Sequence, residues 1–442
     1  MEMFYELFRN RKKSIITIFS VSFLLRLIAI LLLGEIHKPQ MWEFGILARN
    51  LYNGIGYSFN ILDFNETIYT PVVSAHMPPG LVYIFLFFYE LFGINSVSYF
   101  SILLFNSILG SLSCVIIYLI AERIYDNRTA VLSGLFVAIS PIFIFSTINY
   151  NSIIIYHLAL GLIFLYFLKT YNEKSNLKNV ILLSLSISLI LYFRSEMQLL
   201  MILVAGAFLL KKKFVYCLLI LIIPGILFLP WTYRNYIVFG TYIPTTTSFG
   251  VNFHIGHNDI TNGSQWLNGT NNLPIYWTDK LGEKLKKLPI DDRLEINAGN
   301  LAIEEALSFI KASPGKDMIN SVRKLFYLWI IDPNNSKSMN PLYILSWFVT
   351  LMLFIIGYIF SKKDKEISSK LKFINIYLLM MMAVVVVFFT ISRYQIQMSY
   401  LMIPTAMYGL NKLFEKINKH KKNQKTADTK MLNKEKYYEK VS

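Results

Sequence analysis

Four side chains in this 442-residue sequence combine a type and a setting that chemistry could use: Glu43, Arg194, Arg234 and Arg393. At 100° per residue, the stretch Gln40 to Asn53 gathers Met41, Phe44, Leu47, Ala48, Leu51 and Tyr52 on one arc of about 140°. Trp42, Glu43, Ile46, Arg49, Asn50 and Asn53 occupy the other side. Such a helix is expected to lie in a membrane interface with its apolar side down, stopping at Gly54-Ile55-Gly56. Glu43, beside Asn50 and within reach of Arg49, is then a candidate proton acceptor. Arg194 falls sixteen residues beyond Lys178, about 24 Å along a helix. Arg234 lies in Pro230-Trp231-Thr232-Tyr233-Arg234-Asn235, and Arg393 stands beside Tyr394. A planar guanidinium can hold two phosphate oxygens at once, so arginines at one membrane depth with tyrosines beside them suit a lipid-linked phosphate. Taken singly, the bland alternatives are a solvated carboxylate and snorkelling arginines.

Other candidates carry weaker signals. Asp63 and Glu66 are further acids of the same loop, and Gln40 opens its amphipathic stretch. His76 sits in Ala75-His76-Met77-Pro78-Pro79-Gly80, where a turn histidine is the plain reading. His254 and His257, with Asp259, make a faint metal suggestion, but zinc sites need three or four ligands and a supporting shell, so no metal or cofactor is assigned and divalent-metal dependence stays open. Arg26 lies twelve residues into an apolar run and must face protein or water, since a charge at that depth costs about 2.5–3.5 kcal/mol. Cys114 and Cys217 sit inside apolar runs and read as small hydrophobes.

The elements that must position these residues follow from composition. With 55% hydrophobic residues, 15% aromatic and only 16% charged, the chain cannot coat a water-exposed surface. It reads as an all-α polytopic membrane protein, which excludes soluble enzymes, coiled coils and disulfide-stapled modules. Ten segments are long and apolar enough to be spans, at about 14–34, 98–121, 129–147, 151–169, 177–193, 196–210, 214–231, 342–360, 372–391 and 397–414. Gly80 to Phe92 is apolar but short, and reads as re-entrant or interfacial. Placing both termini inside puts most of the 43 basic residues in cytoplasmic loops. Within the net charge of +16, the lysine-rich tail from Lys412 to Lys440 holds ten lysines against four acidic residues, which suits an anionic leaflet and gives no pattern for nucleic acid. The organisation expected is residues 1–34 as N-terminus and first span, 35–97 as a first outer loop with interfacial helices, and 98–231 as spans two to seven. Residues 232–341 should form a small extracytoplasmic α/β cap, 342–414 spans eight to ten, and 415–442 a cytoplasmic tail. Within the cap, short aromatic runs at Tyr236 to Tyr242 and Asn252 to Ile255 precede a helical pattern from Asp291 to Ala312 and another helix into Trp329.

The stretches Trp42-Glu43-Phe44-Gly45-Ile46-Leu47-Ala48-Arg49-Asn50-Leu51, Met77-Pro78-Pro79-Gly80, Phe193-Arg194, Trp231-Thr232-Tyr233-Arg234-Asn235-Tyr236, Gly256-His257-Asn258 and Arg393-Tyr394 together resemble a known family. It is the polyprenyl-phosphate-dependent sugar transferases of the protein mannosyltransferase and aminoarabinose transferase superfamily, with the GT-C membrane fold. Each stretch is short, and the series in order carries the resemblance. It implies a polyprenyl-phosphate sugar donor, a lipid, glycan or protein acceptor, inverting transfer at the outer face, Glu43 as base, and Arg194, Arg234, Arg393, Tyr394 and His76 around the donor phosphate. Two departures stand out: Gln40 occupies the place where many relatives carry an aspartate, and Asn149-Tyr150-Asn151-Ser152 after the third span is uncharged. A transporter or flippase of lipid-linked sugars, or an inactive binding homologue, are the alternatives.

Overall fold

The computed structural model describes residues 10–62, 69–171, 176–266 and 278–441. The chain begins with α1 (Arg11–Leu33) and α2 (Trp42–Tyr52), then a hairpin of β1 (Ser58–Leu62) and β2 (Tyr69–Val73), antiparallel with Ser58 opposite Val73 and Leu62 opposite Tyr69. Next come α3 (Pro79–Phe92), α4 (Ser96–Ile124), α5 (Asn127–Ile139), α6 (Pro141–Thr147), α7 (Ile153–Tyr171), α8 (Leu177–Leu191), α9 (Met197–Leu210) and α10 (Phe214–Phe239). The cap contributes α11 (Phe249–Gly256), α12 (Asp279–Leu285), α13 (Leu294–Ala312) and α14 (Pro314–Trp329). The last part holds α15 (Pro341–Lys362), α16 (Lys365–Lys370), α17 (Lys372–Val387) and α18 (Ser392–Val441).

Helix starts are written in the sequence. Asn10, Asn95, Asp126, Asn176, Asn340 and Asp364 each precede a helix and accept from its first-turn amides. These side-chain oxygens satisfy donors that have no partner inside the helix. Proline 141 splits the expected third span into α5 and α6, which meet at 53°. Arg26 explains how that break is tolerated. Its side chain is 1% exposed, and it donates to Ser22 Oγ at 2.5 Å and to the Ala138 carbonyl at 3.4 Å. A guanidinium at the carbonyl end of α5 thus meets the negative end of a helix interrupted inside the bundle. Elsewhere α15 and α18 pack backbone to backbone: a Cβ at Gly357 would overlap the Thr405 carbonyl oxygen.

All ten apolar segments are helical, the third as the broken pair. By length and apolarity, five helices qualify to cross a membrane, or six counting that pair, so the count of ten is not reached on this test among the described residues. Of the four that fall short, α8, α9 and α17 have only 15, 14 and 16 residues, and the fourth is the segment 397–414 within the long α18. Fourteen residues make about 21 Å of helix, and α3, read as non-spanning on its shortness, is also 14 residues long. Length therefore does not separate α3 from α9.

Three further expectations are corrected. The apolar arc of α2 is not free to face lipid, because Met41, Leu47 and Ala48 are buried in the protein core and Met41 Sδ accepts from Tyr89 of α3 at 3.2 Å. Asn50, assigned to the polar side, is 4% exposed and donates to Ser58 O, Ser58 Oγ and Asn60 Oδ1, pinning α2 to β1. The cap is helical rather than α/β among its described residues: Tyr236 ends within α10, and Asn252 to Ile255 lies in α11. The hairpin belongs instead to the first loop, and Ser264 makes one isolated bridge to Thr390.

Candidate functional site

Three segments meet at the site. Glu43 stands in the first turn of α2, half-buried, directly after Trp42, whose φ of 50° is in the left-handed region. Arg194 and Glu196 lie in the turn between α8 and α9. Arg393 and Tyr394 open α18. Arg194 Nη1 lies 3.5 Å from Glu196 Oε1, with the two side chains 13% and 16% exposed. The Arg194 guanidinium also lies 5.9 Å from the Tyr156 ring, and Tyr156 and Tyr377 share a 2.6 Å hydroxyl contact.

Arg393 keeps more than a third of its surface accessible, yet burial still lowers its pKa, with Arg194 adding to the effect and Tyr394, Glu196 and Glu43 opposing it. Arg393 thus combines an accessible side chain with desolvation by the protein atoms around it. Tyr394 is 7% exposed, and burial pushes its hydroxyl up to about 12; Glu196 adds to this, while Arg194 and Arg393 oppose it. Glu43, Arg194, Glu196, Arg393 and Tyr394 are therefore one electrostatic group. This group brings together two carboxyl groups and two guanidiniums.

Arg234 is engaged elsewhere. Its Nη1 donates to Ser74 O at 2.6 Å and Asn235 Oδ1 at 3.1 Å, and its Nη2 donates to Tyr57 O at 3.2 Å. Its guanidinium packs over the rings of Tyr57, Trp231 and Phe239 at 5.2–5.8 Å. Glu295 of the cap completes this fastening by accepting from Ala75 N at 2.9 Å and Thr247 Oγ1 at 2.7 Å. These contacts hold the loop before α3, where half-buried His76 sits edge-on to Phe59 at 6.1 Å. Arg49 is exposed and lies beside the Tyr89 hydroxyl, and Gln40 is exposed ahead of α2. Asp63 and Glu66 lie outside the described residues.

The histidines singled out as a faint metal pair have other partners. His257 places Nδ1 2.6 Å from Asp317 Oδ1 and Nε2 3.0 Å from Val387 O, with Lys324 Nζ 3.3 Å from that Nε2. Among the described residues no group of three His, Cys, Asp or Glu is placed to hold a metal.

Glu196 is the member of the site that the sequence reading passes over. Its only signal is an acid two residues after Arg194, at the mouth of an apolar run in Phe193-Arg194-Ser195-Glu196. Lys324 is likewise missed, because a lysine within an amphipathic helix is ordinarily solvent-facing.

Residues 76–233 match the family described as dolichyl-phosphate-mannose-protein mannosyltransferase. No curated protein matches the chain in sequence. Among solved structures, the archaeal oligosaccharyltransferase AglB from Archaeoglobus fulgidus, in complex with an inhibitory peptide and a dolichol-phosphate, is similar with a TM-score of 0.55 and 12% identity, covering 94% of this chain and 51% of that one. The Archaeoglobus fulgidus oligosaccharyltransferase in complex with Zn and sulfate gives 0.52 and 12%, covering 91% and 49%. ArnT from Cupriavidus metallidurans bound to undecaprenyl phosphate gives 0.44 and 12%, covering 90% and 77%, an overlap too loose to carry weight. The chain spans about half the length of the first two solved structures. It thus has a GT-C-like membrane fold, and its likeness to polyprenyl-phosphate-dependent sugar transferases rests on the family match over residues 76–233 together with that fold.

Proposed function

We propose that this protein is a membrane glycosyltransferase that moves a sugar from a polyprenyl-phosphate donor to a lipid, glycan or protein acceptor at the outer face of the membrane. The observation that carries the reading is the grouping of Glu43 with Arg194 and Arg393, the latter accessible inside surrounding protein. In the reaction, the acceptor hydroxyl oxygen bonds to the anomeric carbon as the bond from that carbon to the phosphate oxygen breaks. The bonding electrons leave with the phosphate, and the acceptor proton passes to Glu43. Direct displacement inverts the sugar carbon, through an oxocarbenium-like state. The leaving phosphate gains negative charge, which Arg194 and Arg393 are suited to stabilise. General-base assistance of this kind supplies about 10²–10⁴ in rate. Arg234, His76 and Tyr394 then shape the pocket, Arg234 by fastening the loop that leads into α3.

Purified protein in detergent, supplied with a radiolabelled polyprenyl-phosphate sugar and an envelope extract as acceptor source, should release free polyprenyl phosphate and transfer the label. Binding of the donor without release would instead favour a carrier of lipid-linked sugars.

A further inference from the structure

Glu196 occupies the N-cap position of α9 but makes no capping hydrogen bond. Its carboxylate is thus not engaged by the amides of the first turn, as a capping side chain would be. Its side chain turns instead toward Arg194, at a separation of 3.5 Å, longer than a normal N–H···O hydrogen bond. Among the described residues Glu196 Oε1 accepts no hydrogen bond, and Arg194 Nε donates none, although both atoms are buried. Leaving such groups unsatisfied is costly, and more so for charged ones. The pair is therefore held by charge and not by fit, and both partners keep capacity for a better ligand. Arg393, close enough to feel both groups, remains accessible.

We propose that Glu196 is a built-in stand-in for the donor phosphate, neutralising Arg194 in the empty site and yielding it when a lipid-linked phosphate arrives. The proposal rests on the reading of Arg194 and Arg393 as the phosphate-binding pair. Its consequence concerns the product more than the donor. The donor is a phosphodiester carrying one negative charge. Transfer converts it to a monoester, whose second ionisation near pH 6 brings it to about −1.5 to −2 at pH 7. Because the spent lipid carries up to twice the charge of the incoming one, the Glu196 carboxylate opposes it about twice as strongly, and so promotes its release. Glu196 acts through Arg194 and needs no contact with the sugar.

The test measures equilibrium binding of undecaprenyl phosphate to purified full-length protein in detergent. Glu196→Gln, which keeps the shape and removes the charge, should bind at least fivefold tighter than wild type. Glu196→Ala should also bind tighter, and the gain should vanish in the Glu196→Gln, Arg194→Ala double variant, because the two residues act on one interaction. A gain of affinity is a result that structural damage does not produce. In turnover assays Glu196→Gln should lower both kcat and the donor KM, as slowed product release requires. Equal or weaker binding by both single variants, with wild-type binding intact, would overturn the stand-in role and leave the transferase reading in place. Failure of the wild-type protein to bind undecaprenyl phosphate, or binding unchanged by Arg194→Ala, would overturn the underlying phosphate pair, and the stand-in with it.

Discussion

The backbone just before Glu43 is strained. Trp42 adopts a φ of 50°, a conformation that costs a bulky residue energy and persists only where surroundings enforce it. The strain falls beside the one α2 carboxylate that shares the field of Arg393, which gives it a functional reading. Glu43→Gln should therefore leave folding and donor binding near normal while lowering turnover at least a hundredfold, within the general-base range of about 10²–10⁴. A loss smaller than threefold, measured as polyprenyl phosphate released per minute, would remove Glu43 from the role. The arginines separate by environment. Arg393→Ala and Arg194→Ala should weaken donor binding by about 1.5–3 kcal/mol, the worth of a charged hydrogen bond, with lysine rescuing only in part. Arg234→Ala should act mainly on thermal stability, because it removes the guanidinium that donates to the Ser74 and Tyr57 carbonyls. Calorimetry and lipid binding on the three variants distinguish these outcomes. The sequence showed Glu43, Arg194 and Arg393 because each breaks an apolar or patterned stretch. It did not show that Arg234 faces backbone carbonyls, since type and depth are the same for an arginine that binds phosphate and one that fastens a loop.

At the scale of elements, the turn that delivers Arg393 is held by the cap. Lys324 of α14 is fully buried, donates to Val386 O at 2.9 Å, and accepts Thr390 Oγ1 on its carbonyl at 2.7 Å. A Cβ at Gly256 would overlap the Phe388 carbonyl, so α11 also lies flush against this turn. Burial lowers the Lys324 pKa to about 8, with Asp317 opposing. Burial and Lys324 lower that of His257, while Asp317 and Val387 O oppose. The sign of the linkage is then fixed. Below pH 8 Lys324 is protonated both folded and unfolded, and the full cost of burying its charge is present. Between about 8 and the ordinary lysine value of 10.5 the folded protein gives up the proton first, so this group makes stability rise with pH. The apparent melting temperature of wild type relative to Lys324→Met should rise from pH 7.5 to pH 9.5. Parallel curves for the two proteins would show that Lys324 does not titrate in this window. Helices such as α13 and α14 were legible from period and proline placement, Ser313-Pro314 dividing them as expected. The hairpin was not. Its strands are five residues each, β2 contains Pro71, and its pairing partner lies across a loop, which local pattern does not encode.

Across the whole molecule, a single site requires that the loops carrying Glu43, Arg194 and Arg393 occupy the same side of the membrane. Composition made the membrane class plain, and the ten apolar runs all became helices, but crossing is a relation between a helix and a bilayer. The near-equal lengths of α3 and α9 show why apolar length leaves it open. Packing supplies what hydropathy lacks. The first residues of α3 are tied to the end of α8, Gly80 N donating to Tyr192 O at 2.8 Å, so the start of α3 and the Arg194 turn lie at one level. The next helix, α4, begins three residues after α3 at the Asn95 capping box. If α3 dips into the membrane surface and returns, Glu43, Arg194 and Arg393 share the outer face, and the basic loops near Arg128 and Lys365 lie inside, as the charge bias favours. If α3 crosses fully, the charge bias is inverted for the Arg128 loop. Single cysteines at the exposed positions Asn53, Ile260, Arg128 and Lys365, placed in a variant lacking Cys114 and Cys217, decide between the two. In intact cells an impermeant thiol reagent should label positions 53 and 260, and reach 128 and 365 only after permeabilisation. Labelling of position 128 from outside would mean that α3 spans, and the outer-face topology proposed for the transfer reaction would have to be abandoned.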